Sequence, residues 1–134
     1  MLATATPRAA RPAAATPTVD TTTESVVRNH LTAFLQQKGV AAIVADYDPA
    51  ARLHGPDGVY EGQAEIARFF DAFIAALPAG AYERFALGTL RVDGELAFIT
   101  WSIGDDVPLG TDTFIVRGGR IVRQTFAMHA TPSR

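Results

Sequence analysis

Gly110-Thr111-Asp112-Thr113-Phe114-Ile115-Val116-Arg117-Gly118-Gly119-Arg120-Ile121-Val122-Arg123-Gln124-Thr125-Phe126-Ala127-Met128 reads as two strands, 111–117 and 120–129, joined at Gly118-Gly119. Gly-Gly between two β-type runs is a tight hairpin signal, because such turns need positive φ that glycine adopts without steric cost. It sits between strands and therefore makes a turn; it does not cradle a nucleotide. Upstream, 82–92 and 95–103 are β-type segments joined at Asp93-Gly94, a second hairpin signal. The last third of the chain thus predicts four antiparallel strands.

A sheet of this size needs a cover, and the segment before it supplies one. Ile66, Phe69, Phe70, Phe73, Ile74 and Leu77 recur at helical spacing between Gly62 and Pro78. Further back, Ala51-Arg52-Leu53-His54 and Val59-Tyr60-Glu61 flank Gly55-Pro56-Asp57-Gly58, which predicts a short edge hairpin. Two helices come first. Thr21 and Glu24 have capping-box spacing, Val27, His30, Leu31, Phe34 and Leu35 form one stripe, and Gly39 supplies a stop. A shorter helix, Val40 to about Asp46, ends at Tyr47-Asp48-Pro49. Helices first and antiparallel strands afterwards is an α+β pattern, with the sheet curling round the long helix.

The 134 residues suit one domain, placed at 21–130. Residues 1–20, rich in Ala, Thr and Pro, are expected to be a disordered leader, since they offer too little apolar surface to offset chain entropy. Interruptions by Thr, Pro and Arg break up any signal-peptide core; a transit peptide is the alternative reading of this Arg-bearing stretch. With 12 basic and 14 acidic residues interspersed, the net charge of -2 gives no footprint for nucleic acid. The absence of cysteine excludes disulfides, thiolate nucleophiles and Cys-type metal sites. No apolar run is long enough for a membrane span, and a cytoplasmic setting is expected.

The order helix, helix, hairpin, long helix, four-stranded sheet, together with three phrases, resembles the nuclear transport factor 2-like (SnoaL-like) superfamily. The phrases are Ala50-Ala51-Arg52-Leu53-His54-Gly55-Pro56-Asp57-Gly58-Val59-Tyr60-Glu61-Gly62, Glu65-Ile66-Ala67-Arg68-Phe69-Phe70 and Gly110-Thr111-Asp112-Thr113-Phe114-Ile115-Val116. The resemblance covers 24–129 and implies a cone-shaped fold whose mouth holds a small apolar molecule, and an isologous homodimer. Among its enzymes the ketosteroid isomerases give the nearest pattern. His30, in Val26-Val27-Arg28-Asn29-His30, falls where they hold a tyrosine oxyanion donor, and His54 falls where they hold an aspartate base. Asp112, two residues before Phe114, falls on their second donor.

Three groups are thus the candidate catalytic residues. Alternation puts Asp112 on the face of Phe114 and Val116, where a carboxylate must be hydrogen-bonded, neutral or at a wet rim; the other reading starts the strand at Thr113 and leaves Asp112 in a loop. His30 is either a satisfied core residue or an acid–base group, and His54, ending a short strand, is a candidate general base at a cavity mouth. Tyr47, Tyr60, Trp101, Phe126 and Met128 are candidate pocket walls, with plain core as the alternative. Trp101 alternates with Ile99 and Ile103, on a face that meets either a cavity or a partner subunit. No metal is expected, since no histidine pair has the spacing of zinc helices, and no organic cofactor. Two functions stand side by side: an isomerase- or cyclase-type acid–base enzyme acting on a small apolar carbonyl compound, and a non-catalytic ligand-binding or dimerisation module.

Overall fold

A computed structural model describes residues 22–132; the expected leader and Thr21 of the capping pair lie outside the described residues. In chain order the elements are α1 (Thr23–Leu35), α2 (Val40–Val44), β1 (Tyr47–Gly55), β2 (Gly58–Glu61), α3 (Gly62–Ala75), α4 (Ala81–Arg84), β3 (Phe85–Asp93), β4 (Leu96–Ile103), β5 (Val107–Arg117) and β6 (Arg120–His129). The α+β class read from the sequence holds, as a curved, unclosed sheet with helices.

Helix α1 is capped by Thr22, whose hydroxyl oxygen accepts from the Ser25 N–H at 3.2 Å. Its end does not use Gly39. Gln37 takes a φ of +53°, while the Gln37 and Lys38 amides bond back to the Phe34 and Ala33 carbonyls, so the helix closes two residues early in a Schellman-type cap. The buried stripe of α1 is Val26, Val27, His30, Ala33 and Phe34.

The largest departure from expectation is at β1. The hairpin β1–β2 lies at an edge as expected, but it extends the main sheet: β1 runs parallel to β6, giving one sheet in the order β2-β1-β6-β5-β4-β3. β1 also begins at Tyr47, four residues before the expected start, and passes through Pro49. A register shift between Tyr47 and Arg52 makes this possible, because a proline tolerated in a strand sits where no ladder donor is needed. Asp48 steadies the irregular stretch by accepting from the Ala50 N–H at 2.9 Å.

The turns obey local chemistry. Gly118 and Gly119 both have positive φ, the requirement of a type I′ turn, between paired Arg117 and Arg120. The other hairpin turns one residue later than expected, at Gly94-Glu95 between paired Asp93 and Leu96. There Gly94 alone has positive φ, as a II′ turn requires. β3 starts at Phe85 and not at 82, because Ala81–Arg84 makes a helical turn that brings Tyr82 against Phe34.

The concave face of the sheet is shared by two helices. α3 packs on β1, β2 and α2, while α1 packs on β4 and β5, so the sheet curls round both helices and not round α3 alone. Between them lies the core, centred on Tyr47, Leu53, Ile66, Ile99 and Phe114.

Candidate functional site

Strand alternation carries one row of side chains into the concavity. On β4 these are Ala97, Ile99, Trp101 and Ile103, all buried, and on β5 they are Gly110, Asp112, Phe114 and Val116. β5 is four residues longer at its start than expected, so Asp112 is mid-strand, paired with Ile99 on one side and Phe126 on the other. The loop alternative for Asp112 is thereby excluded.

A cavity of about 40 Å³ remains at the centre, walled by Phe34, Phe69, Phe73, Phe85, Trp101 and Phe126, with His30, Asp112 and Gln124 as its polar members. Asp112 is 7% exposed. The Trp101 Nε1–H donates to its Oδ1 at 2.7 Å, and the Gln124 Nε2–H donates to its Oδ2 at 2.7 Å. Gln124 is held in turn by the Tyr47 hydroxyl, which donates to its Oε1. Burial pushes the Asp112 carboxyl up to about 7 against the two hydrogen bonds, which favour the ionised form. A carboxyl group at that value exchanges its proton near neutrality.

His30 forms the other polar wall. Its ring is boxed edge-on by Tyr47, Phe70 and Phe114 at centroid distances of 5.6, 5.6 and 5.4 Å, and its buried Nδ1 has no partner among the described residues. Burial lowers its pKa to about 4, so the imidazole is neutral at physiological pH. The Tyr47 phenol is pushed well above its usual value, first by burial and then by the nearby Asp112 and Asp46 charges.

The other candidates divide by location. Trp101 and Phe126 wall the cavity, their rings stacked at 6.4 Å. Tyr47 and Tyr60 stand one layer back, Tyr47 as the donor to Gln124 and Tyr60 against Phe69. Met128 is 43% exposed and borders a separate outer cavity. His54 has to be corrected: it is exposed and does not border the central cavity. Leu53, opposite Gln124, takes the inward place, and His54, opposite Thr125, lies on the convex face. A side chain one residue out of phase on a strand lies on the wrong side of the sheet to reach the cavity. Among the described residues no group of three metal-ligating side chains comes together, and no helix is long and apolar enough to cross a membrane.

Two positioning features escape a pattern reading. Gln124 shares the face of Phe126 by alternation, so an amide on an apolar face was its signal. Gly110, cross-strand from Trp101, lies under the indole: a Cβ there would come within 2.2 Å of the ring. The missing side chain lets the indole lie flat over β5 and aim its N–H at Asp112, two residues on.

Known structures repeat this architecture. An NTF2-like protein of unknown function from Cytophaga hutchinsonii superposes with a TM-score of 0.66 at 14% identity, covering 84% of this chain and 95% of its own. A proposed polyketide cyclase from Sinorhizobium meliloti gives a TM-score of 0.60 at 20% identity, covering 76% and 93%. TerC, co-crystallised with polyporic acid, gives 0.62 at 12% identity, covering 80% and 91%. At these identities the likeness is one of fold. No curated protein matches the chain. The family model of the SnoaL-like domain matches residues 27–124, a span that holds every wall of the central cavity except Phe126, and the chain therefore belongs to the SnoaL-like domain family within the NTF2-like fold.

Proposed function

We propose that the chain binds a small, flat, carbonyl- or hydroxyl-bearing molecule in its aromatic cavity and that Asp112 exchanges a proton with it, an isomerase- or cyclase-type chemistry without an organic cofactor. The carrying observation is the Asp112 carboxyl: buried, held by Trp101 and Gln124, facing aromatic walls and poised at about 7. An acid–base group works best with a pKa near the operating pH, because both protonation states are then populated. In its neutral form Asp112 donates to a substrate oxygen; in its ionised form it takes a proton from carbon or oxygen. His30, neutral, offers a second polar contact, and Trp101 and Phe126 hold the ring plane. The proton-moving role expected of His54 thus passes to Asp112. The neighbours named as a proposed polyketide cyclase and as a complex with polyporic acid support this substrate class.

The test is a thermal-shift screen of aromatic polyketides, small enones, epoxides and steroids on wild type and Asp112→Asn. A ligand that binds only the folded state stabilises it by about 2.7 kcal/mol at a hundredfold excess over Kd. One class is expected to raise the wild-type Tm, with the response altered in Asp112→Asn and turnover abolished. If a class stabilises both proteins equally and no turnover follows, the acid–base role fails and a binding module is left. No shift with any class removes the pocket reading itself.

The alternative, a dimerisation module, is favoured by the convex face. Leu96, Phe98 and Ile115 stand there on adjacent strands, only partly covered, among Thr100, Thr111 and Thr113. A homodimer through this face is compatible with the enzyme reading and is part of the proposal.

A further inference from the structure

Two cavities meet at Phe73. The inner one, about 40 Å³, has room for roughly three waters as it stands, so a ring-sized ligand enters it only as an aromatic wall side chain gives way. The outer one, about 190 Å³, lies between the end of α3, the β4–β5 turn and the C-terminal segment, with Leu77, Val107 and Met128 as apolar wall. Both are bordered by Phe73 and Ile103. Neither cavity, nor the two volumes taken together, reaches the roughly 300 Å³ at which small-molecule sites begin, so a joined site also needs the space that the Phe73 ring occupies.

The partition between them is formed by the Phe73 ring and Ile103. Ile103 is β-branched, 1% exposed and set in a strand, so its side chain is stiff. Phe73, half-buried near the end of α3, meets Phe126 and Trp101 edge-on at 5.6 and 6.3 Å, lies stacked on Phe69 at 6.1 Å and tilted against Phe34 at 5.9 Å. The polar groups of the outer half are already engaged with one another. Arg84 donates to Asp106 at 2.7 Å, and the Thr131 hydroxyl bonds to the Asp105 and Asp106 carbonyls at 3.0 and 3.3 Å. The apolar side chains this half offers a ligand are those of Leu77, Val107 and the exposed Met128, beside the paired Asp106 and Thr131.

We propose that the two cavities are halves of one ligand site, that Phe73 swings aside to join them, and that the ligand is a ring bearing a hydroxyl or carbonyl at Asp112 with an aliphatic chain running past Phe73 to Leu77 and Met128. This rests on the reading of the inner cavity as a binding site and adds the shape of the ligand to it.

The experiment titrates 4-alkylphenols, from phenol to 4-octylphenol, into the full chain and follows the fluorescence of Trp101, the single tryptophan, which borders the inner half only. Each added methylene is expected to tighten Kd by about three- to fourfold, the worth of a buried CH₂ at roughly 0.8 kcal/mol, until the outer half is full. Met128→Asp, at a position exposed enough to leave folding intact, and Leu77→Asp are expected to flatten this series while keeping phenol within about twofold of wild type, as for sites that do not touch. A series that is flat in wild type, or equally steep in wild type and both variants, overturns the joined site and leaves the inner cavity standing. If no phenol perturbs Trp101, the inner site and this extension fall together.

Discussion

Burial acts on Asp112 and His30 alike, favouring the neutral form of each, and the two therefore pull stability in opposite directions with pH. Folding raises the Asp112 carboxyl from 3.8 to about 7, so between those values the folded state binds the extra proton and stability falls as pH rises. Folding lowers the His30 imidazole from 6.5 to about 4, so there the unfolded state binds the extra proton and stability falls as pH drops. The slopes oppose each other from about pH 4 to 6.5, and the wild type is expected to be nearly flat in that window. Asp112→Asn should lose stability on acidification, and His30→Leu should lose it as pH rises, each by on the order of 3 kcal/mol across the range. Urea midpoints between pH 4.5 and 7.5 check this. Parallel curves for both variants would mean that one of the two groups is not titrating as its burial dictates.

At the scale of elements, the end of α1 has an unspent stabilising substitution. Gln37 holds a left-handed φ of +53° where glycine is the usual occupant. That conformation costs an L residue roughly 1–2 kcal/mol. Glycine would relieve it and give back about 0.4–1 kcal/mol through its greater freedom in the unfolded chain. Gln37→Gly is therefore expected to stabilise by a few tenths to about 1 kcal/mol, read as a higher urea midpoint with an unchanged m-value. A lower midpoint would show that the Gln37 side chain makes a contribution that its backbone cost conceals. The neighbouring elements obeyed their turn chemistry more closely: Gly118-Gly119 was legible because two adjacent glycines between strands admit few other geometries. The β4 turn slipped by one residue because a single glycine fits either centre of a tight turn, and long-range pairing of Asp93 with Leu96 settled which.

For the molecule as a whole, the proposed dimer rests on the convex face. Leu96, Phe98 and Ile115 lie side by side on β4 and β5, and leaving such a patch in water is unfavourable at about 25 cal/mol per Å² of apolar surface. Wild type is expected to sediment as a dimer and Phe98→Asp as a monomer, with the cavity and its Trp101 fluorescence unchanged, since Phe98 faces away from it. A monomeric wild type at tens of micromolar would remove the dimer from the proposal.

The sequence by itself determined the element order apart from the short α4, the α+β class, the apolar face of α3 and the inward alternation of Ile99, Trp101 and Ile103, because these follow from spacing along one chain. It also singled out Asp112 as a carboxylate on an apolar face. Only the tertiary structure decided that β1 joins β6, since strand neighbours far apart in sequence are chosen by packing and not by local pattern. That pairing sets the phase that turns Leu53 inward and His54 out, and it brings Tyr47 to Gln124 and so to Asp112. The proton affinity of Asp112 was equally out of reach of the sequence. It arises from the loss of water around the carboxyl, and the walls that exclude that water come from α1, α3 and four strands, β3 to β6, at once.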